Sequence, residues 1–189
     1  MAANNLYALS TDELMILLSI GKFSPIPGID GLYEEDTLSG SDIRRSVDIL
    51  QRKRYLTLEV SEENDEMQEA VIDNGLYAWL QVMTDSVSYY SLSVGTQKII
   101  FYFYGDTIVT LEQKGEDVTI MWIPFIHIAV GQMLQFVDSI KEGNFSFCEN
   151  GALDSSQILF DKNNANNELM TQITQILVKA HGEEIRKGL

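Results

Sequence analysis

The chain has 189 residues, enough for one ordinary domain, and 45% of them are hydrophobic, which excludes disorder over most of its length. A formal net charge of −15 argues against nucleic acid and against anionic membrane surfaces, because both demand a positive field over the contact. Cys148 is the only cysteine, so no intramolecular disulfide forms. The opening MAANNLYALSTDEL lacks a basic-then-apolar leader, and no apolar run approaches the roughly 20 residues that span a bilayer. A cytoplasmic protein is expected.

Ser10-Thr11-Asp12-Glu13 reads as a helix start, with Ser10 capping and Glu13 completing a capping box. Leu14, Leu17 and Leu18 form its apolar stripe and Gly21 its stop. Pro25, Pro27, Gly28 and Gly31 mark a loop to about Asp36. A second helix begins after Ser39-Gly40-Ser41-Asp42, with Ile43, Val47 and Leu50 on one face and Arg44, Arg45 and Arg52 elsewhere. Tyr55 to Val60 alternates as a short strand. A third helix is predicted over about 62–84, and Asn74-Gly75 leaves open whether it is one piece or two.

Residues 89–123 organise the rest. They are β-prone runs cut by Gly95-Thr96, Gly105-Asp106 and a longer polar turn around Gly115. Gly at the first central position of a two-residue loop fits a type II′ hairpin. Four antiparallel strands follow, at about 88–94, 97–104, 107–113 and 118–123. The two tight turns fix the register: Tyr104 opposes Thr107, Tyr102 opposes Val109, Ile100 opposes Leu111, and Ile99 opposes Leu92. One face then carries Tyr90, Leu92, Ile99, Phe101, Phe103, Ile108, Met121 and Ile123. The other carries Tyr89, Ile100, Tyr102, Val109, Leu111, Ile120 and Trp122. A sheet wet on one side shows one polar face, and this one shows none. Either helices cover both faces, or one face and an edge await a partner.

Pro124 opens a helix of about 124–141 that is apolar almost all round, as a helix buried between layers would be. A weak strand pair, Phe145–Cys148 and Gln157–Phe160, a polar linker and a final helix of about 166–181 complete the chain.

Chemistry-bearing patterns are missing. No metal spacing, nucleophile elbow, phosphate loop or dinucleotide fingerprint is present, so no cofactor and no catalysis are expected. His127 reads as a packed side chain, His181 as a partner of a helix end, Cys148 as a small hydrophobe, and Glu62 to Glu66 as a solvated helix start. Arg44, Arg45, Arg52, Lys53 and Arg54 cluster around the second helix, and helix–helix–strand is the order of a winged helix. On so acidic a chain the arginines are read as pairing with neighbouring acids, while a winged-helix shape used for protein contact stays open.

Three stretches together, LSTDELMILL (9–18), SVDILQRKRYL (46–56) and ENDEMQEAVIDNGLYAWLQVMTDS (63–86) leading into YFYGDTIVTLEQ (102–113), resemble the EspG-type chaperones of type VII secretion. The resemblance covers about residues 9–141. It departs in length and at the usual Arg-Gly-Leu corner, which reads Lys53-Arg54-Tyr55-Leu56 here. It implies a cytosolic binder of an aggregation-prone helical secretion substrate, without catalytic residues.

The expected fold is therefore α+β: a central antiparallel meander of about four strands with helices packed against it and an N-terminal winged-helix-like portion. It is read as one domain over 1–189, divisible into 1–86 and 87–189. The expected function is a non-catalytic protein-binding module for a protein client, with contacts from Tyr89, Tyr102, Tyr104 and Trp122. The alternatives are a winged-helix transcription regulator or an acidic immunity protein. An open meander edge would also permit a homodimer.

Overall fold

A computed structural model describes residues 6–29, 38–60, 68–86, 88–138, 142–149 and 152–159. The meander is built from β4 (Ser88–Val94), β5 (Gln97–Tyr104), β6 (Thr107–Lys114) and β7 (Asp117–Ile123). Its corners are set by backbone conformation. Gly95 and Gly105 sit at φ +55° and +56°, while Thr96 and Asp106 after them are not left-handed, the combination a type II′ turn requires. Gly115, at φ +63°, makes a third two-residue turn between the paired Lys114 and Asp117, where a longer turn was expected. The register is the one the turns dictate: Tyr104 opposes Thr107, Tyr102 opposes Val109, and Leu92 opposes Ile99.

The meander has no open edge. β1 (Leu6–Ser10) pairs antiparallel with β7, and β8 (Glu142–Glu149) pairs with β4 and carries β9 (Ala152–Leu159). The result is a seven-stranded sheet in the order β1-β7-β6-β5-β4-β8-β9. The fold is α+β, and helices lie over both sheet faces.

On one face, Tyr89, Ile100, Tyr102, Val109, Leu111, Val118 and Ile120 join a core with α1 (Thr11–Ile20) and α3 (Asn74–Asp85). Leu50 of α2 (Gly40–Arg52), Leu56 of β2 (Leu56–Val60) and Ile72 of β3 (Gln68–Ile72) belong to the same core, so the N-terminal portion and the meander share it. On the other face, Tyr90, Leu92, Ile99, Phe101, Phe103, Ile108 and Ile123 pack under Ile126, Ala129 and Met133 of α4 (Ile126–Asp138).

The helix starts follow their caps. Ser10 and Ser39 each close a capping box, with Glu13 and Asp42. Both α1 and α2 end in a Schellman motif whose left-handed residue is not glycine. Lys22 (φ +53°) and Arg54 (φ +61°) take that position, and Phe23 N–H and Tyr55 N–H donate back to the Leu18 and Leu50 carbonyls. Gly21 is instead right-handed, and a Cβ there would strike the Phe23 ring.

Two expectations fail locally. The third helix does not reach back into 68–72, because those residues form β3, paired antiparallel with β2. Asp73 then caps α3 by accepting from the N–H groups of Gly75 and Leu76, each at 3.1 Å, so Asn74-Gly75 is the helix start rather than a break within it. On α2 the buried pair is Ser46 and Leu50, one turn apart, while Ile43 is exposed. The predicted final helix and His181 lie outside the described residues, as do the side-chain surroundings of His127 and Cys148.

Candidate binding surface

The tyrosine-bearing face is sealed. The loop after α1 runs across it, burying Ile26 and Ile29. Tyr102 donates its hydroxyl to the Pro27 carbonyl at 2.9 Å, and Lys98 Nζ donates to the Gly28 carbonyl. Gly28 is left-handed at φ +82°, and a Cβ on it would come within 2.9 Å of the Tyr89 ring. Only glycine lets the chain pass so close to that ring. Tyr89 and Tyr102 are thus core residues, with no surface to offer a partner, which corrects their expected role as contacts.

Tyr104 and Trp122 share that face by register, but at its far end. They are 55% and 41% exposed, at the ends of β5 and β7. Just after Trp122 the chain turns into α4 and exposes Phe125 (59%) and Ile128, while Leu6 of β1, also exposed, sits opposite Met121 and so on the other sheet face from Trp122. The corner where β7 passes into α4 thus exposes Trp122, Phe125 and Ile128 within one short stretch of chain. Phe125 and Ile128 belong to the helix of about 124–141 whose nearly all-round apolar character predicts burial between layers, so the apolar nature of the corner is legible in the sequence and its exposure is not.

Toward the other end of the meander, α4 and the sheet border an open cleft of about 310 Å³ lined by Gln97, Ile99, Glu112, Met121, Gln132, Gln135 and Phe136. Its floor is the α4 side of the meander, where Ile99 opposes Glu112 directly. Its roof is one helical stripe, since Gln132, Gln135 and Phe136 stand at i, i+3 and i+4. Gln132 Oε1 is cut off from solvent and has no hydrogen-bond partner among the described residues. One signal in the sequence marked this place: Glu112 shares the inward side of β6 with Ile108 and Thr110, a carboxylate on an otherwise apolar face.

Two polar networks brace the N-terminal portion. Tyr7 donates to Asp73 Oδ1 at 2.5 Å, the same oxygen that caps α3. The Tyr7 phenol is pushed well above the ordinary tyrosine value, by burial first and then by its hydrogen bond to Asp73 and that group's charge. Glu13 is 3% exposed and meets Lys53 Nζ at 2.7 Å. Arg44, Arg45 and Arg52 are all on the solvent side of α2, and Arg52 Nε donates to the Asp48 carbonyl. Among the described residues no group of three or more acids, histidines or cysteines is placed to hold a metal ion, and no helix is long and apolar enough to cross a membrane.

No family model and no curated protein sequence matches the chain. Among solved structures it is similar to the Mycobacterium tuberculosis type VII secretion chaperone EspG5, determined in complex with a PE25–PPE41 dimer. The TM-score is 0.49 at 8% identity, over 71% of this chain and 52% of that one. The match spans about half of that relative's length, a distant likeness of fold.

Proposed function

We propose that this protein is a non-catalytic binding module that shields an aggregation-prone helical protein, acting in the cytoplasm as a chaperone or adaptor for a secretion substrate. The observation behind it is the exposure of Trp122, Phe125 and Ile128 at the corner where β7 passes into α4, with Tyr104 at the end of β5 as a further contact. Exposed aromatic residues of this kind are costly to leave in water and efficient as anchors at an interface. A helix laid across such a corner buries its own apolar stripe at the same time.

The test is co-purification of tagged protein from its native host, followed by reconstitution with the captured partner. Trp122→Ala combined with Phe125→Ala should weaken the complex by at least about 10-fold, as loss of interface anchors does. The melting temperature should stay within about 3 °C, because both side chains are exposed. Undiminished capture, or a captured partner without an amphipathic helix, sinks the proposal.

A DNA-binding use of α2 has one feature behind it, the β2–β3 hairpin that follows α2 in the position of a wing. It predicts a duplex complex that weakens steeply with salt, and a gel shift that shows nothing at low salt removes it.

A further inference from the structure

The geometry points to a guanidinium-binding function for the cleft between α4 and the sheet: it takes one arginine side chain of the partner. This rests on the protein-binding reading and gives that partner a chemical feature, an exposed arginine in addition to its apolar stripe. At about 310 Å³ the cleft lies at the small end of ligand pockets, with room for one long side chain rather than a cofactor. Its chemistry is layered. Ile99, Met121 and Phe136 supply apolar wall for an aliphatic stem, while Glu112, Gln97, Gln132 and Gln135 supply polar groups around the head.

The sign of the charge is what selects a cation. Among the described residues Glu112 makes no ion pair and no lysine or arginine lines the cleft. Lys114, two residues on along the same side of β6, stands opposite Gln97 beyond the lining. A carboxylate accepts two parallel N–H bonds from a planar guanidinium, a pairing that an ammonium head cannot copy.

Gln132 sharpens the choice. Its Oε1 is sealed from water with no donor among the described residues, a state that normally calls for an explanation. Turning that amide toward a donor in the cleft costs it no existing bond at the oxygen. A guanidinium has five N–H groups, enough to serve Glu112 and the Gln132 oxygen together. The unpartnered oxygen is thus a group held ready for a donor that arrives with the partner.

The test needs no partner. N-acetyl-arginine amide is titrated into the full chain with the Met121 methyl followed by NMR, against the amides of N-acetyl-citrulline, which keeps the shape and loses the charge, and of N-acetyl-lysine. Saturable movement of Met121 at a Kd on the order of 1 mM is expected for the arginine probe. Citrulline and lysine probes should bind at least about 5-fold more weakly, and Glu112→Gln should weaken the arginine probe by about the same factor, the upper range for an exposed charge pair. Gln132→Leu should weaken it too while leaving the melting temperature no lower. No movement of Met121, equal binding of citrulline or lysine, or indifference to Glu112→Gln would overturn the assignment. Failure here leaves the Trp122 and Phe125 capture experiment untouched, so the two proposals fall separately.

Discussion

Tyr7 shows how much a single buried hydroxyl can hold. It ties β1 to the cap of α3 through Asp73, and its ring meets Tyr55 and Trp79 edge-on at 5.1 and 4.8 Å. Tyr7→Phe keeps the rings and removes a hydrogen bond to a carboxylate, at a cost of about 1.5 kcal/mol read by urea denaturation. The raised phenol value also sets a pH dependence. Because the folded value lies above the unfolded one, the contribution is complete below about pH 10 and is lost as pH climbs through the folded value. Wild type should therefore lose stability more steeply above pH 10 than Tyr7→Phe, and parallel profiles would refute the link. Arg54 makes the opposite case. Its left-handed backbone at φ +61° costs an L-residue about 1–2 kcal/mol, partly recovered by the lower unfolded-state entropy of a non-glycine. Arg54→Gly should raise stability by about 0.5–1 kcal/mol, a melting temperature higher by about 1–4 °C. A lower one would mean that the arginine side chain contributes more than its backbone costs.

At the scale of elements, β1 is protected in a way that explains why it joins only β7. On its outer side the Ala8 N–H donates to the Tyr55 hydroxyl, the Ala8 carbonyl accepts from Lys53 Nζ at 3.0 Å, and the Ser10 N–H donates to Glu13 Oε2. These contacts occupy backbone groups that would otherwise invite another strand. Lys53→Ala removes the partner of both Ala8 O and the buried Glu13 carboxylate. The expected loss is about 2 kcal/mol, below the value for a fully buried pair because Lys53 is partly in water. Sedimentation should show new self-association, and Lys53→Arg should restore both readings. An unchanged denaturation midpoint in Lys53→Ala would show the lysine to be ornamental. The elements that sequence reading captured were those with local punctuation: two glycine corners fixed three partners' register, and Ser10-x-x-Glu13 fixed a helix start. β1 and β3 escaped because five-residue strands such as LYALS and QEAVI carry little local signal and exist through distant partners, β7 and β2. The same limit hid the site. Alternation put Tyr89, Tyr102 and Trp122 on one side of the sheet, but whether a loop over 23–29 crosses the first two is a tertiary fact.

For the molecule as a whole, one electrostatic field has two consequences of opposite sign. The net charge of −15 repels itself in the compact state, against which the Lys53–Glu13 ion pair is one local attraction. Screening therefore relieves more repulsion than it removes attraction. Raising ionic strength from about 0.01 M to about 0.15 M shortens the Debye length from about 30 Å to about 8 Å, and the melting temperature should rise by a few degrees. Capture of a partner that places an arginine beside Glu112 responds the other way. The acidic field draws a cationic surface in from a distance, so its association rate should fall over the same salt range while dissociation changes less. Measuring both on one preparation makes the prediction sharp. If the melting temperature falls with salt, internal attraction dominates the fold. If the association rate is flat, the partner meets the apolar corner without using the charge.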